Sequence, residues 1–288
     1  YTGQFYALFF LERMLKVDGA LTNILVAVAL LLGTPFFVVF GWLSDKIGRK
    51  PVILVGCLLA ALTYFPIFKA LTVAANPDLA AATARAPVVV VAPAGNCSFQ
   101  FDPVGKTVFS NGCDIAKSVL AGAGVSYDNV VAPAGSSATI VRVGEVEVAS
   151  LDTSSEKAAA EKVAFTERLT PVLKAAGYPP KADSAKVNKP AVVGLLFLLV
   201  LYVTMVYGPI AAALVEMFPA RIRYTSMSLP YHLGNGWLGG FLPTTAFAMV
   251  AATGNIYFGL WYPIAVAAFT AIVGFLFVKE MKGNPIED

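Results

Sequence analysis

The charged residues able to do chemistry in this chain are few, and they sit in short turns between long apolar runs. In GWLSDKIGRK, residues 41–50, Asp45 stands four residues before Arg49, with Lys50 beside it and Gly41 and Gly48 around them. That spacing lets the carboxylate bind across a turn to the guanidinium or to helix-end amide groups. The two glycines permit close helix approach and a tight turn. A second group lies in VEMFPARIRY, residues 215–224, where Glu216 closes one apolar run and Arg221 and Arg223 precede the next. Glu216 and Arg223 are expected to pair at a membrane surface and tie two helices together. The plainer reading of both groups is a pair of charged turns held on one side of a bilayer by their basic residues. Cys97 and Cys113 are expected to form a disulfide. Two thiols without a nearby His make at best half of a zinc site, so no metal is expected. No Ser, Cys or Asp has a base partner in its local sequence, so no catalytic residue is assigned and the chain reads as a non-enzyme.

The elements that must position these residues are membrane helices. The 288 residues are 57% hydrophobic and 14% charged, with a mean hydropathy of +0.71, whereas soluble domains carry about a quarter charged residues. A net charge of +3 without a long basic run argues against a nucleic-acid partner. Apolar runs close to the ~20 residues that span a bilayer cover about 20–41, 51–74, 190–215, 226–251 and 256–278, and a partial run covers 1–15. The chain opens on Tyr1 inside that partial run, so no signal peptide is expected and a truncated start is. Lys46, Arg49, Lys50, Arg221, Arg223, Lys279 and Lys282 fall in loops on one side if every run crosses, and that side is expected to be cytoplasmic.

Residues 76–188 change character, with short β-branched stretches in place of long apolar runs. They are expected to form a water-soluble α+β insertion facing the periplasm of a bacterium. APVVVVAPAG, SFQFD, KTVFS, NVVAP and ATIVRVGEVEVAS read as strands. CDIAKSVLAGAG and TSSEKAAAEKVAFTERLTPVLKAAGY read as helices, the second opening on a capping pattern before Glu156. Glu145 and Glu147 are expected on one solvated strand face. The domain order is therefore membrane helices over 1–75, the insertion over 76–188, and membrane helices with a cytoplasmic tail over 189–288. Polar residues inside the runs are candidates for a substrate or proton pathway: Gln4, Tyr6, Tyr207, Tyr231, His232 and Asn235. For the aromatic ones the alternative is packing or an interfacial belt, and for His232 a hydrogen-bonded structural role. The fifth run also carries Gly234, Gly236, Gly239, Gly240 and Pro243, as in a kinked or closely packed helix.

The pattern Gly41-x-Leu43-x-Asp45-x-x-Gly48-Arg49-Lys50 resembles the signature loop of the major facilitator superfamily of transporters. Glu216-x-Phe218-Pro219-x-Arg221-x-Arg223-Tyr224 resembles the loop before the eleventh helix in its metabolite:proton symporters. VKEMKGNPIED, residues 278–288, is similar to the Glu-Thr-Lys-Gly ending after the last helix of related porters, with Met281 in place of Thr. In that order the motifs imply helices seven to twelve, with helix seven clipped. The fold implied is half of an all-α major facilitator bundle carrying the α+β insertion. The activity implied is secondary transport of a small organic acid, amino acid or betaine-like solute. A proton would be the coupling ion, no cofactor would be needed, and an N-terminal six-helix half would be the partner within the bilayer. Gly41, Asp45, Gly48, Arg49, Lys50, Glu216, Arg221 and Arg223 would then be gating residues. A membrane-anchored periplasmic binding or sensing module is the rival reading.

Overall fold

Helix breakers and side-chain caps divide the apolar runs. The computed structural model describes residues 2–101, 107–133, 135, 136, 138–280 and 282. Thr2–Tyr6 and Phe10–Met14 are π-helical, with α1 (Ala7–Phe9) between them. Helix α2 (Gly19–Gly33) starts on Asp18, whose carboxylate accepts from the Leu21 amide at 3.1 Å and satisfies one of the free donors of a helix start. Pro35 opens α3 (Pro35–Ile47) at a position where no N–H is required, so α2 and α3 form one apolar run, Gly19–Ile47. The helix continues through Trp42 to Ile47, and the turn expected over 42–50 shrinks to Gly48 alone. Nothing in WLSDKI breaks a helix, whereas Gly48 adopts φ +108°, a region that L side chains avoid. Helix α4 (Arg49–Ala75) starts immediately after it.

At the far end of α4, Asn76 serves both sides of the next break. Its Oδ1 accepts from the Leu79 amide at 3.0 Å and caps α5 (Pro77–Arg85), while its Nδ2 donates to Leu15 O at 2.9 Å. Strand β1 (Val88–Ala92) follows, then α6 (Gly112–Gly122), β2 (Tyr127–Val131), β3 (Thr139–Val143), β4 (Val146–Ser150) and α7 (Ala158–Ala175). The four strands form one sheet in the order β2-β1-β3-β4. β1 and β2 are parallel and joined through α6, and the other two pairings are antiparallel. Val88, Val90 and Ala92 alternate inward along β1, as a strand with one buried face requires.

Several expectations for this region are corrected. The described residues of SFQFD and KTVFS form no strand; Asp102 and Lys106 lie outside the described residues. Their neighbourhood is tied to α6 instead, because Asp114 accepts from the Ser98 amide at 2.8 Å and from its hydroxyl at 2.7 Å. Glu145 occupies the two-residue turn between β3 and β4, so only Glu147 is on a strand, where it pairs with Arg142 at 2.8 Å. Helix α7 begins at Ala158 with no side-chain cap, since residues 155–157 form a turn.

Helix α8 (Lys189–Met217) returns to the bundle from an Asn188 cap and lies at its centre, packed on α2, α3 and α4. The run 226–251 is broken more deeply than a kink: α9 (Arg223–His232) passes into a π-helical stretch, Leu233–Gly239, and α10 (Leu242–Thr253) starts afresh. Four glycines and Pro243 supply too few side chains and one donor too few to hold a single α-helix there. Helix α11 (Trp261–Phe277), entered through a 3-10 turn at Phe258–Leu260, packs on α4. Among the described residues, four stretches are long and apolar enough to cross a membrane: Gly19–Ile47, Arg49–Ala75, Lys189–Met217 and Phe258–Phe277. The sheet and its helices lie at the bundle end opposite Gly48. There the Tyr127 amide donates to Gly254 O at 2.8 Å and Asn129 Nδ2 to Thr253 O at 2.9 Å.

Candidate functional site

Two polar assemblies stand out, one at the Gly48 end of the bundle and one inside it. At the Gly48 end, the start of α4 meets the end of α8, and Arg49 reaches across. Its Nη2 lies 3.0 Å from Glu216 Oε1, with Nε at 3.3 and 3.4 Å from the two carboxylate oxygens. Its Nη1 donates to Ser44 Oγ at 2.8 Å and also to Asp45 Oδ1. Arg49 and Glu216 are each 13% exposed and Asp45 61%, so the inner pair is sheltered and the outer one wet. The pairing of Glu216 with Arg223 expected from sequence does not occur. Arg223 folds back on its own turn, its Nε donating to Phe218 O at 3.0 Å, while Arg221 is exposed.

Glu280 completes this end. Its carboxylate accepts from the backbone amides of Arg49 at 3.0 Å and Lys50 at 2.9 Å, giving the start of α4 the cap its own sequence lacks. The contact needs Gly48, since a Cβ there would sit 2.5 Å from Glu280 Oε2. Lys50 Nζ donates to Phe275 O at 2.9 Å and Lys282 Nζ donates to Lys46 O, so the ends of α3, α4, α8 and α11 are joined. Met281 and residues 283–288 of the tail motif lie outside the described residues. Higher in the bundle, a Cβ on Gly208 would lie 3.1 Å from Phe37 O and 3.2 Å from Gly41 N. The close approach expected at Gly41 thus depends on Gly208 of α8. Glu280, Ser44 and Gly208 are the residues that sequence reasoning missed.

Inside the bundle, α4, α8, the π-helical stretch, α10 and α11 enclose a cavity of about 370 Å³. Its polar lining is phenolic and amide: Tyr64, Tyr202, Tyr207, Tyr262 and Asn235, with Thr2 and Thr270. Tyr207 donates to Asn235 Oδ1 at 2.6 Å, which fixes the amide with Nδ2 as its donor end. Tyr202 OH lies 3.1 Å from Thr63 Oγ1, and Tyr262 donates to Leu238 O at 2.9 Å. No carboxylate lines the cavity among the described residues. Of the pathway candidates, Tyr207 and Asn235 line it. Gln4, Tyr6, Tyr231 and His232 do not: Tyr6 is buried beside Phe10 and Phe68, Gln4 is half-buried, and Tyr231 and His232 are exposed on α9. His232 Nδ1 lies 2.7 Å from Ser228 O in its own helix. Cys97 and Cys113 are joined as a disulfide with Cα atoms 5.3 Å apart, remote in sequence from either assembly. Among the described residues no group of His, Cys, Asp and Glu could hold a metal ion.

Residues 164–288 match the sequence model of the family described as Sugar (and other) transporter. The kinship of this region is with transporters of the major facilitator superfamily, not with enzymes. Over 100 residues the chain is 28% identical to the glycine betaine/proline/ectoine/pipecolic acid transporter OusA of Dickeya dadantii (strain 3937), covering 33% of this chain and 20% of that protein. Over 58 residues it is 38% identical to a putative proline/betaine transporter of Staphylococcus aureus (strain COL), covering 20% of this chain and 12% of that protein. These matches span at most a fifth of either relative. No solved structure matches the chain.

Proposed function

We propose that this chain supplies the C-terminal helices of a proton symporter for a small zwitterionic solute, an amino acid or betaine-like compound, in a bacterial inner membrane. The observation that carries this reading is the cavity at the break between α9 and α10. Four tyrosines line it, the residue type whose ring face attracts an ammonium or quaternary nitrogen, and Asn235 Nδ2 offers a donor to a carboxylate. The names of the two relatives point to the same solutes. An unwound stretch beside a cavity is also where transporters place their substrates. The six-helix N-terminal half would close the far side of the cavity and bring the titrating carboxylate. The basic residues near Gly48 support a cytoplasmic side for that end, and with it a periplasmic side for the α+β segment. The Arg49 cluster would then hold one state of an alternating-access cycle, breaking and reforming as the two halves rock.

The test is uptake into proteoliposomes of a protein in which six further helices precede this chain. An inward proton gradient should drive accumulation of labelled proline or glycine betaine, and a protonophore should abolish it. Uptake that ignores the proton gradient would remove proton coupling, and no uptake of either solute would remove the substrate class.

A further inference from the structure

A second cleft lies where the α+β segment meets the bundle. It encloses about 480 Å³ between the first helical run (Phe9, Arg13), the α+β segment (Gln100, Phe109, Ser118, Lys162) and the start of α10 (Pro243, Phe247). Its chemistry differs from that of the central cavity. Arg13 and Lys162 bring two cations, and no carboxylate lines it among the described residues. Lys16 stands close by, donating from Nζ to the carbonyl of Gly122, which also lines the cleft. Burial and then the nearby Arg13 charge push the Lys16 ammonium below its usual range.

Gln100 supplies the independent sign of a ligand. It is 3% exposed, and its Nε2 donates to Asp114 O at 2.7 Å, which orients the amide. The other end, Oε1, is buried without a hydrogen-bond partner. A buried acceptor left unsatisfied is costly, and this one belongs to a side chain lining a cleft of solute size. The occupant that satisfies every group has a carboxylate for Arg13 and Lys162, an N–H or O–H for Gln100 Oε1, and a small apolar body for Phe9, Phe109, Phe247 and Pro243.

We propose that this cleft is a capture site, distinct from the central cavity, for amino acids that keep an N–H donor, cyclic imino acids such as proline above all. It rests on the transport reading for its role as an entry station, but binding at the cleft is measurable without transport. A fully methylated nitrogen has no hydrogen for Gln100, so this site separates proline from betaines where the tyrosine-lined cavity would take both.

The test is equilibrium binding to the purified chain in nanodiscs of zwitterionic lipid, with labelled L-proline and N,N-dimethyl-L-proline as probes. Proline should bind at least about tenfold more tightly than its dimethyl analogue. Lys162→Glu, at an exposed position outside the core, should weaken proline about tenfold or more, and Gln100→Leu should erase the preference over the analogue. Equal binding of the two probes, or proline binding indifferent to Lys162→Glu, would overturn the proposal. So would competition by phosphatidylglycerol that is independent of Gln100, which would assign the cleft to a lipid headgroup. A full-length protein that fails to transport while this chain still shows the preference would overturn the transport reading alone.

Discussion

Arg49 is the residue on which the Gly48 end turns. Sequence placed Glu216 seven residues from Arg223, and nearness along the chain made that pair the obvious one. In the folded chain the partner comes from 167 residues away, because α8 ends where α4 begins. Local spacing did reveal Asp45 with Arg49, an i, i+4 contact that needs no tertiary knowledge. Glu280 was out of reach, since a tail carboxylate that caps another helix 231 residues earlier leaves no periodic or spacing signal. The sheltered pair can be separated from the wet one by experiment. A double-mutant cycle with Glu216→Gln and Arg49→Gln, read by denaturation in detergent, should give a coupling of about 1–3 kcal/mol. The same cycle with Arg223→Gln should give a coupling within about 0.5 kcal/mol of zero. A coupling to Arg223 as large as that to Arg49 would restore the pairing that sequence suggested.

Among elements, those with a strong period or a stop signal were legible and those held by distant contacts were not. The runs that became α4, α8 and α11 were plain from hydropathy. β1, β3 and β4 followed from alternation of β-branched residues. SFQFD and KTVFS alternate too, yet alternation records only that a segment can be a strand, and both β1 edges of the sheet are taken by β2 and β3. The described residues beside Cys97 and Cys113 are held instead by the disulfide and by Asp114 gripping Ser98. A cross-link closing a loop of that size contributes about 3 kcal/mol in the chain-entropy model. Reduction with dithiothreitol should therefore open residues 98–101 and 107–110 to protease well before the bundle yields, with the first cuts there. First cuts in the β3–β4 hairpin would mean that the side-chain bonds of Asp114 suffice without the disulfide.

At the scale of the whole molecule, the question is how the four-stranded sheet is fastened to an apolar bundle. The fastening is made of backbone carbonyls at the end of α10. Tyr127 donates its hydroxyl to Ala251 O, Lys117 reaches Ala252 O at 3.3 Å, and Asn129 reaches Thr253 O. Such groups are invisible in a sequence, because any residue has a carbonyl and only the fold says which are free. Burial raises the Tyr127 phenol above its ordinary 10.0 and lowers the Lys117 ammonium below its ordinary 10.5, against a smaller opposing effect of Asp114. The two therefore act in opposite directions. For Lys117 the folded state sheds its proton first, so its contribution improves as pH rises towards 10.5. For Tyr127 the unfolded phenol ionises above about pH 10 while the folded one stays neutral, so the unfolded state binds fewer protons and stability falls with rising pH. The junction should hold best just below pH 10 and loosen above it. Tyr127→Phe should lower stability near neutral pH by about 1 kcal/mol for the lost hydrogen bond and flatten the alkaline loss. Detergent melts of both proteins from pH 7 to 11 decide the matter, and an alkaline fall as steep in the variant as in the parent would place the weak point elsewhere than this joint.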